Sequence, residues 1–213
     1  MILLTGFEPF GGETTNPSWT AAREAAGILH AEGHEVQAVE LPCVFGDSVT
    51  VLEAALEHYR PAVVICAGQA GGRPRVSLER IAINCDDARI PDNAGKAPVD
   101  EPVVPGGPAA YFSSLPLKAA LAALEATGIP AEVSQSAGTY VCNHTFYGLM
   151  HALRLRPGVQ GGFVHVPYAA GQLPPGSAAP SLPGELITQA LAVVVRSSLG
   201  TTDDLKLAAG ATH

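Results

Sequence analysis

The stretch that most constrains the fold is residues 130–168, PAEVSQSAGTYVCNHTFYGLMHALRLRPGVQGGFVHVPY. Its pattern predicts a strand at 130–136, a helix at 143–155 and a second strand at 161–168. A strand–helix–strand unit of this kind joins two parallel strands through a right-handed crossover. The stretch therefore predicts an α/β fold, with Cys142 placed where the first strand passes into the helix.

The rest of the chain continues this alternation of strands and helices. Strands are predicted at 1–5, 35–41 and 62–67, a strand or hairpin arm at 75–84, and helices at 18–31, 47–59, 115–127 and 185–199. Asn16 and Asp47 are the expected caps of the first two helices. The alternation predicts a three-layer α/β/α sandwich with a mostly parallel, twisted central sheet. In such sheets ligands bind where the carboxyl ends of the strands meet.

The length of 213 residues, with 47% hydrophobic and 15% charged residues, predicts one globular domain over residues 1–213. Residues 91–108 contain five prolines and three glycines, which predicts one long irregular loop. A loop of this length in a compact domain is typically functional or disordered. The tail after Gly200 is expected to be mobile.

Composition also limits the partners and the compartment. The net charge is −8, which gives no electrostatic footprint for nucleic acid or an anionic membrane surface. The apolar N-terminus lacks a basic flank and indicates a first strand rather than a signal peptide, and no run reaches the length of a membrane helix. The cysteines form no CxxC pair, which predicts free thiols in a reducing cytosol; they are Cys43, Cys66, Cys85 and Cys142.

The position of Cys142 at the start of a helix favours a nucleophile. The positive end of the helix dipole lowers a thiol pKa there, and unpaired amides can stabilise an oxyanion. A cysteine nucleophile also needs an imidazole base, and that base needs an orienting group. His144 is close in sequence, but residues two apart on a helix point about 200° from each other, so we take it as structural. His165 is expected at the same sheet edge and is the preferred base.

Glu79 is the candidate orienting group. It lies in RVSLERIAIN, residues 75–84, where an acidic side chain among apolar residues is costly to bury unless it is paired. A protonated His165 would be such a partner, and Asp86 and Arg89 stay open as alternatives. The resulting hypothesis is a Cys142–His165–Glu79 triad.

Structural roles for the same residues stay open at this point. Free cysteines are commonly buried and inert, and Glu79 could belong to a surface ion pair. A zinc site made of Cys142, His144 and His165 is disfavoured because the ligand-pair spacing is missing. The loop GQAGG, residues 68–72, is neither GxGxxG nor followed by a helix pattern, which argues against dinucleotide binding.

Five stretches in order resemble pyroglutamyl peptidase I, the pyrrolidone-carboxylate peptidase family of cysteine peptidases. They are LLTGFEPFGGETTNPSW, GQAGGRPRVSLERIAINCDDARIPDN, GGPAAYFSSLP, AGTYVCNHTFYGLMH and GGFVHVPY. The resemblance covers nearly the whole chain. It implies a cytoplasmic thiol protease that removes N-terminal pyroglutamate from peptides, uses no metal or other cofactor, and assembles as a homotetramer.

The resemblance also implies roles for individual residues. Cys142 falls on the nucleophile, His165 on the base that later acts as an acid, and Glu79 on the orienting group. Arg89 falls near the acyl oxygen. The lactam pocket is implied to be lined by Phe7, Phe10, Ile90, Tyr140 and Val141, and ordered by Asn16 and Gln69. Flat apolar walls with few hydrogen-bonding groups suit a small uncharged lactam.

Two positions depart from the family pattern, and two other functions stay open. Tyr140 stands where phenylalanine is expected and its hydroxyl needs a partner, and Cys43 stands where threonine is expected. Both concern the pocket and leave the triad intact. The alternatives are a thiol hydrolase for another small acyl amide or ester, and a ligand-binding module that has kept the fold without the chemistry.

Overall fold

The computed structural model describes residues 1–200 and 203–210. Within them the strands are β1 (Ile2–Phe7), β2 (Val36–Leu41), β3 (Val63–Gln69), β4 (Val76–Glu79), β5 (Ile81–Ile83), β6 (Ala110–Phe112), β7 (Ala131–Ser134), β8 (Gln160–Val166), β9 (Tyr168–Ala169) and β10 (Ser181–Leu182). The α-helices are α1 (Pro17–Ala31), α2 (Asp47–Tyr59), α3 (Leu117–Ala126), α4 (Val141–Leu153) and α5 (Gly184–Gly200). The alternation predicted from the sequence is confirmed.

Six strands form one mixed sheet in the order β2-β1-β3-β8-β4-β7. The pairs β1–β2, β1–β3, β3–β8 and β4–β7 are parallel, whereas β4 and β8 are antiparallel. The mostly parallel sheet is therefore confirmed, but the crossover predicted for residues 130–168 is wrong. Strand β4 pairs with β8 and separates it from β7, so β7 and β8 run in opposite directions and are not neighbours.

Helices cover both faces of the sheet. Along β8, Phe163 belongs to one apolar cluster, whereas Val164 and Val166 belong to the other. This follows from the two-residue period of a strand, which sends successive side chains to opposite faces. Helices α1, α3 and α5 contribute to the cluster around Val164, and α2 and α4 to the cluster around Phe163. The three-layer α/β/α arrangement is confirmed.

Of the two helix caps predicted from the sequence, the one at α1 is right and the one at α2 is wrong. The Asn16 carboxamide Oδ1 accepts the Ser18 N–H at 3.1 Å, as predicted for the cap of α1. The cap of α2 is Gly46, at a φ of 83° and without a side-chain bond, and Asp47 is the first helical residue. Residues 75–84 do not form one strand, because β4 ends at Glu79 and β5 pairs with β6 in a separate sheet.

The long loop and the described part of the chain end contain no helix or strand. Residues 91–108 contain no helix or strand, and an isolated bridge joins Glu101 to Asp86. The predicted mobile tail includes residues 201, 202 and 211–213, which lie outside the described residues. Between these two gaps, the Asp204 carboxylate accepts the Lys118 and Ala119 N–H groups at the start of α3. No helix among the described residues has the length and apolarity to cross a bilayer.

Candidate active site

The strand register brings Glu79 and His165 to one face of the sheet. His165 pairs with Ser77, and Glu79, two residues further along β4, pairs with Phe163. Diagonal neighbours on one face of an antiparallel pair are within reach of long side chains. The Nδ1 atom of His165 lies 2.7 Å from Oε1 of Glu79. The Glu79 side chain is therefore positioned to orient the imidazole ring.

The hydrogen bond between Glu79 and His165 fixes the tautomer of the ring. A carboxylate only accepts hydrogen bonds, so Nδ1 of His165 carries the proton and donates it. Both residues are buried, with exposures of 0% and 4%. The other nitrogen, Nε2, has no hydrogen-bond partner in the part of the chain that the structure describes. In the neutral form of the ring Nε2 is therefore an acceptor, which is the state that a general base requires.

The Cys142 thiol lies on this same face. Gly68 of β3 pairs with His165, and a Cβ built on Gly68 would lie 2.8 Å from the Cys142 sulfur. Cys142 is the second residue of α4, and no side chain caps this helix start. The first amides of a helix have no partner within the helix. The arrangement combines a thiol, a free imidazole nitrogen and unpaired backbone donors at one edge of the sheet.

The pKa of the Cys142 thiol is shifted in the direction opposite to the one that its helix-start position predicts. Burial raises this pKa, and the nearby Cys43 and Glu79 raise it further, whereas the Arg73 guanidinium lowers it. No hydrogen bond joins the sulfur to His165 within the described ranges. A raised pKa favours the protonated thiol, so a nucleophile at this position would need a base to remove its proton.

Arg73 is a residue of this site that the sequence reasoning missed. Its Nη1 donates to Oε1 of Glu79 at 2.6 Å, and its Nη2 donates to the Ser136 carbonyl at 3.2 Å. The alternative partners considered for Glu79 are wrong, since Arg89 is exposed and Asp86 is bound by His144. A signal was available, because a buried glutamate needs a cation and the loop before β4 supplies GGRPR.

His144 has the structural role expected from its angle on the helix. Its Nδ1 lies 2.7 Å from Oδ2 of Asp86, and its Nε2 accepts the Gly46 N–H at 2.9 Å. Both ring nitrogens are thus occupied. The ring also makes an edge contact with Phe45, at 5.4 Å between centroids. His144 ties α4 to the turn before α2.

An aromatic group lies beside the start of α4 and includes predicted pocket residues. The Tyr140 ring packs against Phe10 and Phe45, with centroid separations of 6.2 and 5.4 Å. The Tyr140 hydroxyl donates to the Pro91 carbonyl at 3.1 Å, which supplies the partner that the substitution for phenylalanine requires. Phe45 was missed by the sequence reasoning, although LPCVFG places it two residues after Cys43.

Other predicted pocket residues differ in their surroundings. Phe7 and Val141 are fully buried in the apolar cluster on this face, whereas Phe10 is half-buried. Burial raises the pKa of the neighbouring Cys43 thiol to about 12. Ile90 is exposed, at 49%. The structure brings the aromatic residues together and leaves Ile90 at the surface.

The predicted polar residues Asn16 and Gln69 hydrogen-bond to neighbouring segments. Besides capping α1, Asn16 donates through Nδ2 to the Glu8 carbonyl at 3.0 Å. Gln69 ends β3, and its Oε1 accepts from Gln172 Nε2 at 2.8 Å. Arg89 makes no hydrogen bond within the described residues. No group of three or more potential metal ligands occurs there either.

Comparisons with known proteins agree with the geometry of the site. The family model for pyroglutamyl peptidase matches residues 1–200. The pyrrolidone-carboxylate peptidase of Klebsiella pneumoniae is 53% identical over 212 residues, which covers 100% of this chain and 99% of the relative. The Streptomyces coelicolor protein of the same name is 54% identical over 215 residues, with coverage of 100% and 99%.

Solved structures agree with these sequence relatives. The crystal structure of pyroglutamyl peptidase I from Bacillus amyloliquefaciens has a TM-score of 0.93 and 46% identity, and covers 97% of this chain and 98% of that one. The pyrrolidone carboxyl peptidase from Thermococcus litoralis has a TM-score of 0.87 and 34% identity, with the same coverage. On these matches, which run through the segments that carry Glu79, Cys142 and His165, the chain belongs to the pyroglutamyl peptidase family.

Proposed function

We propose that this chain is a cysteine peptidase that hydrolyses the peptide bond after an N-terminal pyroglutamyl residue. One observation carries the proposal: the Glu79-bound His165 keeps Nε2 open on the face where the Cys142 thiol lies. Membership of the pyroglutamyl peptidase family supplies the substrate class. The arrangement supports acyl transfer through a thiol, because a nucleophile, a base and a group that orients the base lie at one site.

The proposed reaction has two steps. In the first, His165 Nε2 takes the proton of Cys142 while the sulfur attacks the pyroglutamyl carbonyl, and the first amides of α4 hold the oxyanion. His165 then gives this proton to the leaving amine as the peptide C–N bond breaks. The rest of the peptide is released, and the pyroglutamyl group stays on Cys142 as a thioester. In the second, water attacks the thioester with His165 again as base, releasing pyroglutamate. We assign Arg89 a supporting role near the acyl oxygen, from the family resemblance.

The proposed pocket accepts a ring that carries no charge. Its apolar walls are Phe7, Phe10, Ile90, Tyr140 and Val141, and Asn16 and Gln69 order the surrounding loops. Such walls favour a flat lactam, whereas a free glutamyl or prolyl amine would lose its hydration without gaining a counter-charge. The packing of Phe10 on Tyr140 supports this assignment.

We extend the proposal to organisation and compartment. Residues 1–213 would act as a single catalytic domain with no metal or other cofactor, in the cytoplasm, and as a homotetramer. All four cysteines are free, which suits a reducing compartment. Phe112 and Leu155, exposed at 66% and 75%, are apolar side chains that a subunit contact would cover.

A panel of anilides tests the activity. We expect the protein to hydrolyse pyroglutamyl anilide and to leave prolyl and glutamyl anilides almost untouched. The change Cys142→Ala should abolish hydrolysis, and the matched control Cys85→Ala, at a half-buried free cysteine, should keep it. Equal rates on the three anilides would favour the broader thiol hydrolase. Binding of pyroglutamate without turnover would favour the ligand-binding module.

A further inference from the structure

The carboxylate of Glu79 has an uneven set of partners. Its Oε1 receives both His165 Nδ1, at 2.7 Å, and Arg73 Nη1, at 2.6 Å. Its Oε2 is buried and has no hydrogen-bond partner within residues 1–200 and 203–210. His165 and Arg73 therefore bond to the same carboxylate oxygen, instead of one oxygen each. Rotation of the carboxylate would break both contacts together.

Arg73 is anchored on its far side. It lies in the loop between β3 and β4, and reaches the end of β7 and the residues after it. There Nη1 approaches the Ser134 hydroxyl at 3.4 Å, and Nη2 donates to the Ser136 carbonyl at 3.2 Å. The Arg73 side chain is 30% exposed, whereas that of Glu79 is 0% exposed. The Arg73 guanidinium thus lies between the buried Glu79 carboxylate and solvent. It is itself held by the Ser134 hydroxyl and the Ser136 carbonyl.

We propose that Arg73 is a positioning residue of the hydrolytic site, holding Oε1 of Glu79 against His165 so that Nε2 of the imidazole stays directed to Cys142. Its catalytic consequence rests on the function proposed above. The planar guanidinium supports this role, because Nη1 holds the Glu79 carboxylate in a defined direction while Nη2 donates to the Ser136 carbonyl. Arg73 touches neither the reacting atoms nor, in this reaction scheme, the substrate.

The charge of Arg73 has a second effect on the nucleophile. The titratable groups around Cys142 are His165, which lies on the same face of the sheet, and Glu79, Arg73, Cys43, Cys66 and Tyr140. Burial is the main cause that raises the pKa of Cys142, and among these neighbours Arg73 is the cation that lowers it. Without Arg73, the thiolate would form only at higher pH. Alkylation of Cys142 would then need a higher pH.

The test uses two substitutions at Arg73 and one control. Arg73→Gln removes the charge and the fork, Arg73→Lys keeps the charge alone, and Arg75→Gln removes an exposed arginine two residues away. For Arg73→Gln we expect kcat to fall by about 10²-fold with KM changed by less than about threefold, because a misplaced base slows chemistry without weakening binding. Arg73→Lys should lose about tenfold in kcat. Arg75→Gln should match the wild type.

A second readout does not depend on substrate. Alkylation of Cys142 by iodoacetamide, followed by mass mapping across pH, should need a higher pH in Arg73→Gln than in the wild type. Wild-type kcat and an unchanged alkylation curve for Arg73→Gln would overturn the inference, as would an equal loss in Arg75→Gln. If Arg73→Gln does not fold, Arg73→Lys decides, and wild-type kcat there overturns it.

The two proposals can fail separately. If the wild type does not hydrolyse pyroglutamyl anilide, the proposed function fails, and the alkylation curve alone decides the role of Arg73. If the wild type is active and the Arg73 variants match it in kcat, KM and pH profile, the function stands and Arg73 is only a buried ion-pair partner. A shifted alkylation curve with reduced kcat supports the positioning role.

Discussion

Two histidine–carboxylate pairs lie in this molecule, and their first contacts are nearly the same. In His165–Glu79 and His144–Asp86, Nδ1 of a buried imidazole lies 2.7 Å from a carboxylate oxygen. In both, the other oxygen of the carboxylate is buried without a partner among the described residues. Neither burial nor the distance to the carboxylate separates them. One difference is that Arg73 also binds Glu79, and the other lies at the second ring nitrogen.

The Nε2 atom of His144 accepts the Gly46 N–H, whereas Nε2 of His165 has no partner in the described chain and lies on the face of the Cys142 thiol. A general base must have a free lone pair within reach of the proton that it takes. The first pair is therefore a structural connection between α4 and the turn at Gly46. The second pair has the same hydrogen bond and leaves one nitrogen without a partner in the described chain, as the proposed base requires.

The strongest test of this difference exchanges each histidine for asparagine. We expect His165→Asn to lower kcat/KM for pyroglutamyl anilide by roughly 10²–10⁴-fold, because it removes the acid–base group. His144→Asn should keep kcat/KM, per folded molecule, within a few-fold of the wild type. Steady-state kinetics with active-site titration would measure both. Equal losses in the two variants would refute the separation into a base and a structural residue.

The pH dependence of Cys142 alkylation sharpens the same comparison. Burial raises the pKa of this thiol, so the thiolate is scarce below that pKa and its fraction grows about tenfold per pH unit. We therefore expect the rate of iodoacetamide labelling at Cys142, in the absence of substrate, to rise steadily between about pH 6 and pH 9. A flat, fast rate over this range would instead indicate a resting thiolate–imidazolium pair. Mass mapping separates Cys142 from the other three cysteines.

The substitution Gly68→Ala tests the narrow space beside the Cys142 thiol. A new Cβ would lie 2.8 Å from the Cys142 sulfur and 2.8 Å from Cζ of Phe163, which is closer than real contacts. Displacement of the sulfur should lower kcat on the order of 10²-fold, with a smaller effect on stability. Gly27→Ala, where nothing lies within 4 Å, is the matched control. Wild-type kcat in Gly68→Ala would show that the sulfur acts from another position.

Stability should respond mainly at the other pair. His144→Asn leaves the Asp86 carboxylate and the Gly46 N–H without their partner, and an unpaired buried group costs about 1–3 kcal/mol. We expect the free energy of unfolding to fall by that amount in urea titrations followed by circular dichroism. His30→Asn, at an exposed histidine of α1, should change it by less than about 0.5 kcal/mol. An unchanged midpoint for His144→Asn would contradict a structural role.

Much of this comparison could be predicted from the sequence, because it rests on local periodicity. The two-residue period places Glu79 on one face of its strand and His165 on one face of its own, and the helical angle turns His144 away from Cys142. The order of the strands could not be predicted in this way. The pairing of Ser77 with His165 is a non-local choice that depends on which strand best fits beside β8.

Arg73 and the pKa of Cys142 were missed for a related reason. The Arg73 side chain that reaches Glu79 is held by Ser134, the last residue of β7, and by Ser136 just after it. The helix dipole at Cys142 can be inferred from the sequence, whereas the burial that outweighs it comes from the packing of neighbouring elements. Local signals predict which residues take part, and tertiary packing sets their charges and partners.

The place of β8 in the sheet order has a consequence for the growing chain. Strand β8 is the last of the six to be synthesised, yet it lies between β3 and β4, and the contact between Glu79 and His165 spans 86 residues. Until β8 inserts, β3 and β4 each present an open edge, and open edges invite pairing with other chains. Loop closure over such separations is slow. A nascent chain that stops before residue 160 therefore contains the proposed nucleophile but neither the proposed base nor the complete sheet, so the proposed hydrolysis would report that folding is complete.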